Sequence, residues 1–311
     1  MIVALQLSRC VVFHSYLRIE AFLYLDGVPD DVADIRMQVR FDHGPPPPQT
    51  IRFVRRHENG AFEMSLDALI DRTMFPHRGY LAVGHGSSEI VRSLADVCAD
   101  AQAVNRRDAL TWNCLSPAIE AITAEGRRPR LLDLGGRRRS GRTVADALDS
   151  CDVVVFDIVA DAGVDVVGDA HELSRHFPPE SFDLVMCNSV FEHLLMPWKV
   201  ALELNAVLRP GGLCYIHTHQ SIGLHDMPWD FFRYSDTAWN GLFNRRTGFE
   251  IVEARMSYFN HIVTAGWSEA YVGSEASGGF EASGVLVRKI GGTDLSWNVG
   301  LSEAIASSYP R

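Results

Sequence analysis

The stretch Arg130-Leu-Leu-Asp-Leu-Gly-Gly136 decides the fold that this sequence predicts. An apolar run ends at Leu134 and two glycines follow, which allow the backbone to turn tightly and to approach a ligand closely. Such turns lie at the carboxyl edge of α/β sheets, where ligands bind. A nicotinamide-binding turn would carry GxGxxG, but Arg137 and Ser140 replace its second and third glycines. Asp133, two residues before the first glycine, suits a cationic amino group better than a pyrophosphate.

Strand-like segments follow on both sides of this turn. From Pro129 onward, short apolar runs alternate with amphipathic segments, which is typical of strands that are covered on both faces and joined by helices. We therefore predict an α/β domain over residues 129–311 with a doubly wound, mostly parallel, seven-stranded sheet whose last two strands form a hairpin. The seven runs are 131–134, 153–156, 164–167, 182–186, 213–216, 249–252 and 285–287.

Residues 1–75 have a different pattern. Segments 16–24, 35–41 and 51–54 alternate between apolar and polar residues, which predicts a β-rich accessory module. The apolar segment 1–13 is interpreted as a strand, because it lacks the cationic region and the cleavage site of a signal peptide. Residues 76–128 are predicted to form a helical lead-in, because 89–97 and 117–122 have helical spacing.

The composition argues against several classes of function. The 311 residues carry a formal net charge of −10 with a pI near 5.6, which argues against a nucleic-acid groove. No run reaches the about 18 apolar residues that a membrane-spanning helix needs. Six scattered cysteines without a CxxC pair predict neither a disulfide framework nor a zinc site, and they favour a reducing, cytoplasmic environment.

Two further acids follow predicted strands. Asp157 comes directly after the run 153–156, where a carboxylate can accept hydrogen bonds from both hydroxyls of a ribose. Asp169 follows the run 164–167, where a carboxylate can accept from an adenine amino group, while the amide of Ala170 can donate to a ring nitrogen. With the glycine turn, these residues indicate a nucleoside-containing cofactor at this edge of the sheet.

Five motifs, taken together, resemble a known family. LLDLGG, VFDI, VGDAHEL, FDLVMCNSVFEHL and LRPGG occur in the order and spacing of class I S-adenosylmethionine-dependent methyltransferases of the methyltransferase-11 type, over about residues 129–212. The segment 225–234 resembles a subgroup often associated with cell-surface sugars or secondary metabolites. The resemblance implies a Rossmann-like methyltransferase domain with S-adenosylmethionine as its cofactor.

The resemblance also implies which residues hold this cofactor. The sequence departs from many relatives at residues 137–139, where three arginines replace small residues. These arginines either form a solvated run or include one that holds an acceptor carboxylate or phosphate. The implied cofactor residues are Asp133, Gly135, Gly136 and Asn188 at the methionine end, Asp157 at the ribose, and Ile158, Asp169 and Ala170 at the adenine.

Three histidines are candidate catalytic residues. His217 and His219 follow the run 213–216 at the carboxyl end of a strand and point to one side if the strand continues. They are interpreted either as a base or substrate contact, or as hydrogen-bonded structural residues. The resemblance implies that His193 borders the active site. A metal site built from His217 and His219 with Asp226 or Asp230 lacks a ligand signature, so we predict no metal.

The expected reaction moves a methyl group from S-adenosylmethionine to an oxygen, or in second place a nitrogen, of a small polar acceptor. The first candidate acceptor is a sugar hydroxyl of a glycan or of a glycosylated metabolite, by analogy with the family. Two alternatives stay open: a non-catalytic S-adenosylmethionine-binding sensor or scaffold, and a nicotinamide-dependent reductase. The N-terminal module either binds the acceptor or forms a homodimer contact, and no nucleic-acid partner is expected.

Overall fold

The computed structural model describes residues 1–13, 16–26, 34–70, 75–107, 109–137, 148–262 and 278–305 of the chain. The chain divides into two compact units, Met1–Asp108 and Ala109–Arg311. The division falls inside the segment 76–128, so this segment contributes to both units. Within the described ranges, no helix is both long enough and apolar enough to cross a membrane.

The first unit is built from antiparallel strands. Its described residues form β1 (Ile2–Phe13), β2 (Tyr16–Leu25), β3 (Ile35–Phe41), β4 (Gln49–Arg56), β5 (Phe62–Leu69), β6 (Gly79–His85) and β7 (Ser88–Ser93), followed by helix α1 (Leu94–Arg107). One sheet has the order β1-β2-β5-β4 and the other the order β3-β6-β7. Side chains from both sheets, among them Leu17, Ile19, Val39, Leu66 and Leu81, are fully buried in one core. The predicted β-rich module and its first strand are confirmed.

The helical lead-in predicted from residue 76 is wrong for its first part. Strands β6 and β7 form an antiparallel pair there, joined by a turn in which Gly86 has a φ of +56°. Leu81 and Val83 of β6 point into the core, while Val91 of β7 is exposed. The apolar pair at residues 90 and 91 is compatible with a helix or a strand. Hydrogen bonding to β6 stabilises the strand. Helix α1 begins only at Leu94.

The second unit contains the predicted α/β sheet. Its strands are β8 (Arg130–Leu134), β9 (Asp152–Asp157), β10 (Val166–Val167), β11 (Phe182–Asn188), β12 (Leu208–His219), β13 (Phe249–His261) and β14 (Gly278–Lys289). The α-helices of its described residues are α2 (Ser116–Ala124), α3 (Leu173–His176), α4 (Pro197–Val207), α5 (Trp239–Leu242) and α6 (Leu301–Ala304). Short 3-10 helices occupy Trp112–Leu115, Ala170–Glu172, Phe191–His193 and Arg245–Thr247.

The strand order of this sheet, β10-β9-β8-β11-β12-β14-β13, confirms the predicted fold class. Strands β8 to β12 pair in parallel, and β14 runs antiparallel to both β12 and β13. The chain runs outward from β8 to β10 and then returns to β11 on the other side of β8. This reversal opens a crevice at the carboxyl ends of β8 and β11, which is where open α/β sheets bind their ligands.

Burial on both faces of the sheet explains the continuous apolar runs. Leu132 and Val185 belong to a core cluster that includes helix α4. Their sequence neighbours Leu131 and Leu184 belong to a second cluster that includes Ile119 of helix α2. Because successive residues of a strand point to opposite faces, both faces need apolar side chains. The packed strands hold the edge that carries the crevice in place.

One buried carboxylate holds the opposite, amino-terminal end of the sheet. Asp183 of β11 is 4% exposed. It accepts hydrogen bonds from both terminal nitrogens of Arg127 at 2.8 Å, from Arg209 at 2.7 Å and from the backbone N–H of Arg130 at 2.9 Å. Burial opposes its ionisation, but these bonds outweigh burial and lower the pKa of Asp183 to about 2.

We expect Asp183→Asn to lower the free energy of unfolding by about 2 kcal/mol, because the two arginines lose a shared charged partner. Since the pKa is depressed in the folded protein, the contribution of Asp183 is complete above about pH 4 and is lost as the pH falls through about 2. Urea unfolding at pH 7 measures the change. Asp152→Asn, at an exposed ion pair with Arg128, is the control. Equal losses in the two variants would contradict the expected role of Asp183.

Candidate functional site

A pocket lies at the carboxyl edge of the sheet in the second unit. Five of the predicted cofactor residues line it, and so does the predicted catalytic residue His193. Asp133, Gly136 and Asn188 are outside the lining, as are His217 and His219. The five lining cofactor residues are Gly135, Asp157, Ile158, Asp169 and Ala170.

The glycine turn forms one wall of this pocket. Gly135 has a φ of +78°, and its N–H donates to the carbonyl of Phe156 at 2.8 Å, which ties the turn to β9. A Cβ at Gly135 would overlap Cγ2 of Val190, and a Cβ at Gly136 would overlap the carboxyl group of Asp133. Both positions therefore require glycine, the first for its conformation and its space and the second for its space.

Asp133 lies directly behind the turn. It is 3% exposed, and burial, together with the charge of Asp157, raises its pKa to about 7. The carboxyl group is therefore only partly ionised near neutral pH, and a cation placed close to it would favour the charged form. Arg137 lines the pocket on the other side of the turn, and its buried Nε has no hydrogen-bond partner among the described residues. This arrangement suits a ligand that carries both an ammonium and a carboxylate group.

The acids at the ends of β9 and β10 are held in place by local bonds. Asp157 is 8% exposed, and its Oδ1 accepts from the N–H of Val159 at 2.9 Å. Asp169 accepts at Oδ1 from the backbone N–H of His171 at 2.9 Å and from its Nδ1 at 2.6 Å. Burial opposes the ionisation of Asp169, but the bonds from His171 outweigh it and hold the pKa below its usual value. Both carboxylates therefore face the pocket in fixed positions.

His171 is a residue that the sequence analysis did not select. It is 3% exposed and lines the pocket. Its Nε2 accepts from the N–H of Met196 at 3.2 Å, so the neutral ring carries its proton on Nδ1 and donates it to Asp169. His171 thereby connects the carboxylate of Asp169 to the segment before α4. The motif VGDAHEL contained this histidine, but its contact with Met196 is long-range in the sequence.

A cluster of histidines and carboxylates adjoins the pocket at His193. The Nδ1 of His193 lies 2.5 Å from the carbonyl oxygen of Trp229, and its Nε2 lies 3.9 Å from Oε1 of Glu192 and 4.0 Å from Oδ2 of Asp226. Because a carbonyl only accepts, Nδ1 carries a proton, and in the neutral ring Nε2 has the lone pair. The ring of His225 packs against both His193 and His219, with centroid distances of 5.0 and 5.1 Å.

Glu192 lies at the centre of this cluster and is fully buried. Its Oε2 accepts from the hydroxyl of Thr218 at 2.5 Å, and its Oε1 lies 3.1 Å from Nε2 of His219 without the geometry of a hydrogen bond. Burial opposes the ionisation of Glu192, but the contacts with His219 and Thr218 hold its pKa below the usual value. A buried carboxylate is therefore kept charged beside the pocket.

The ligand atoms of Glu192, His193 and His225 lie within 4.8 Å of one another, so this group is a candidate metal site. The set differs from the one considered on the sequence, which combined His217 and His219 with Asp226 or Asp230. Asp230 instead binds Arg233 through two bonds of 2.5 and 2.8 Å, and it accepts from the N–H of His225 at 3.0 Å. This ion pair holds the loop that presents His225.

His217 and Asn188 occupy neighbouring positions on β12 and β11. The Nδ1 of His217 is buried without a hydrogen-bond partner among the described residues, and burial lowers the pKa of the ring. Ser189 and Val190, which follow Asn188, line the pocket in its place. The roles of His217 and Asn188 therefore stay predictions.

The C-terminal segment contributes a wall that the sequence did not indicate. Leu301 of α6 lines the pocket. The segment before it is held by Trp297, whose Nε1 donates to Sδ of Met196 at 3.1 Å, and by a bond of 3.0 Å from Nζ of Lys199 to the carbonyl of Val299. The described part of this segment covers the pocket from the side of α4.

Comparisons with known proteins point to one kind of domain. Residues 140–216 match the family described as a methyltransferase domain. The chain is similar to S-adenosylmethionine-dependent methyltransferases from Archaeoglobus fulgidus (14% identity, 60% of this chain and 99% of that chain covered, TM-score 0.39) and Mesorhizobium loti (19%, 56% and 97%, TM-score 0.34). It is also similar to the 1,6-didemethyltoxoflavin-N1-methyltransferase of Burkholderia thailandensis, solved with 1,6-didemethyltoxoflavin and S-adenosylhomocysteine (19%, 69% and 96%, TM-score 0.39). The search of curated proteins gave no match.

Proposed function

We propose that this chain, which carries an S-adenosylmethionine-dependent methyltransferase domain, transfers the methyl group to an oxygen of a small polar acceptor. The match of residues 140–216 to a methyltransferase domain supports the predicted class of enzyme and its cofactor, and the strand order of the sheet fits the predicted fold. The observation that carries the choice of an oxygen acceptor is the histidine and carboxylate cluster that reaches the cofactor pocket at His193.

The residues of the pocket fit this cofactor. When it is bound, S-adenosylmethionine supplies a methyl group on a positively charged sulfur, which is already activated for displacement. We assign the ribose hydroxyls to Asp157, and the adenine to Ile158, Asp169 and the amide of Ala170. The glycine turn with Asp133 behind it accommodates the ammonium group, and Arg137 provides a cation for the carboxylate. The assignment of Gly136 and Asn188 to the methionine end stays a prediction, because neither residue lines the pocket.

The cluster supports an oxygen acceptor, because an alcohol usually needs a base or an equivalent group before it can attack a methyl carbon. We assign the role of the base to the three histidines. His193 lies at the pocket wall, His219 lies beside Glu192, and His217 precedes His219 by two residues on β12. Asp226, whose side chain is 30% exposed, offers carboxylate oxygens to acceptor hydroxyls. A sugar hydroxyl of a glycan or a glycosylated metabolite remains our first candidate, on the resemblance of the segment 225–234.

Calorimetric titration with S-adenosylhomocysteine tests the assignment of Asp157. We expect Asp157→Ala to weaken binding by about 30-fold or more, because two ribose hydroxyls lose a charged acceptor. Asp161→Ala, at an exposed acid of the loop that follows, is the matched control and should bind as the wild type does. Equal binding by the wild type and Asp157→Ala would contradict the assigned ribose site.

A panel of acceptors tests the chemistry. Incubation with labelled S-adenosylmethionine and sugars, phenols or amines should place the label on hydroxyl oxygens. Label found only on amines would contradict the oxygen proposal. Tight binding of S-adenosylhomocysteine without transfer to any acceptor would favour the sensor or scaffold. Binding of NADH in place of S-adenosylhomocysteine would favour a reductase.

A further inference from the structure

Glu192, His193 and His225 combine the side chains that first-row divalent cations prefer. Each offers one ligand atom, and these atoms lie within 4.8 Å of one another. Two imidazoles with one carboxylate are the ligand set of many Zn²⁺ and Fe²⁺ sites that keep positions open for a substrate. Metal–ligand bonds of about 2.0–2.2 Å place neighbouring ligands about 3–3.5 Å apart, so side-chain movements of about 1 Å would close the set.

Both rings are already held in the orientation of a metal ligand. His193 turns Nδ1 to the carbonyl of Trp229 at 2.5 Å, and His225 turns Nδ1 to the carbonyl of Gly223 at 3.0 Å. Asp230 lies 3.5 Å from the same Nδ1 of His225. Histidine ligands of metals usually donate the proton of their second ring nitrogen to a carbonyl or a carboxylate, which leaves the other nitrogen for the metal.

The carboxylate is held in a corresponding way. Thr218 donates to Oε2 of Glu192, which fixes the plane of the carboxylate. Oε1 is fully buried, and it lies 3.1 Å from Nε2 of His219, without the geometry of a hydrogen bond, and 3.9 Å from Nε2 of His193. A buried carboxylate oxygen without a well-formed hydrogen bond is costly, and a cation at this point would offset that cost. Asp226, whose Oδ2 lies 4.0 Å from Nε2 of His193, adds a second negative charge.

We propose that Glu192, His193 and His225 bind a divalent transition cation of the Zn²⁺ class at the wall of the cofactor pocket, with the fourth position open to an acceptor oxygen. Because His193 lines the pocket, the cation can hold an acceptor oxygen next to the cofactor. His193 then acts on the acceptor through the cation, and Thr218 and His219 position Glu192. The role toward the acceptor rests on the proposed function, whereas the binding of the cation does not.

Titration with Co²⁺ tests the site without any acceptor. Untagged protein is stripped with a chelator and titrated by calorimetry, while visible absorption reports the coordination of Co²⁺. We expect one equivalent to bind, and His225→Ala and Glu192→Gln to weaken binding by more than the roughly 10- to 100-fold that outer partners contribute. The loss of Co²⁺ affinity in Thr218→Val should fall within that range. His57→Ala, at the half-buried His57–Glu63 pair of the first unit, is the matched control and should bind as the wild type does.

Binding of S-adenosylhomocysteine by the same proteins separates the two proposals. A wild type that binds S-adenosylhomocysteine but no Co²⁺ would overturn the metal site and leave the methyltransferase function intact. Equal Co²⁺ binding by wild type, Glu192→Gln and His225→Ala would overturn these ligands. Glu192→Gln keeps the shape of the side chain, so it decides the outcome if His225→Ala fails to fold. A bound cation with label found only on amines would instead contradict the oxygen acceptor.

Discussion

Gly135→Ala is expected to weaken S-adenosylhomocysteine binding by at least about 100-fold. Its φ of +78° disfavours any side chain by about 1–2 kcal/mol, and the added Cβ would overlap Cγ2 of Val190. Overpacking of this kind costs about 1–3 kcal/mol more. The turn and the segment that carries Val190 both line the pocket, so the overlap pushes two of its walls apart. Calorimetric titration measures the loss, and thermal unfolding shows how much of the strain appears as lower stability.

Gly126→Ala is the matched control for this change. Gly126 has a φ of +83°, close to that of Gly135, but a Cβ there would meet nothing within 4 Å. The control should lose stability and keep its affinity for S-adenosylhomocysteine. Adding Val190→Ala to Gly135→Ala removes the overlapping methyl group and should recover part of the affinity. Equal affinities for Gly135→Ala and Gly126→Ala would show that the close approach to Val190 is unimportant.

The sequence predicted the parts of the site that depend on local order. Gly135, Asp157 and Asp169 each follow an apolar run directly, and parallel strands bring their carboxyl ends to one edge. The runs themselves were recognisable because both faces of the sheet are buried, as Leu131 and Leu132 show. Pattern and topology were therefore enough to bring five residues that are predicted to hold a cofactor around one pocket.

Other parts of the site depend on contacts between distant segments. His171 meets Met196, and Glu192 meets His219, only after the loops have folded over the sheet. A loop brings His225 to His193. The Asp230–Arg233 ion pair of this loop joins residues that are close in the sequence, but packing of the His225 ring against His193 sets the position of the loop. The spacing of His193, His219 and His225 in the sequence does not predict that they form a cluster. The error at β7 has the same origin, because pairing with β6 overrides a pattern that also fits a helix.

Asp133→Asn is expected to change stability and cofactor binding in opposite directions. Burial and the charge of Asp157 raise the pKa of Asp133 to about 7, whereas the pKa of an aspartate in the unfolded chain is near its ordinary value of 3.8. The folded protein therefore holds a proton that the unfolded chain releases, and stability falls as the pH rises between these two values. Above pH 7 the variant should be more stable than the free wild type by up to about 4 kcal/mol, and at pH 4 the two should be equal.

Binding of S-adenosylhomocysteine reverses the comparison, because its ammonium group favours the ionised Asp133. The affinity of the wild type should rise with pH through about 7, and Asp133→Asn should bind more weakly and without this rise. Thermal unfolding and calorimetry at pH 5, 6, 7 and 8, with Asp161→Asn as the exposed control, measure both effects. A variant that is less stable than the free wild type at pH 8 would mean that the buried carboxylate stabilises the empty pocket. Ionised Asp133 would then not be the group that destabilises the ligand-free protein.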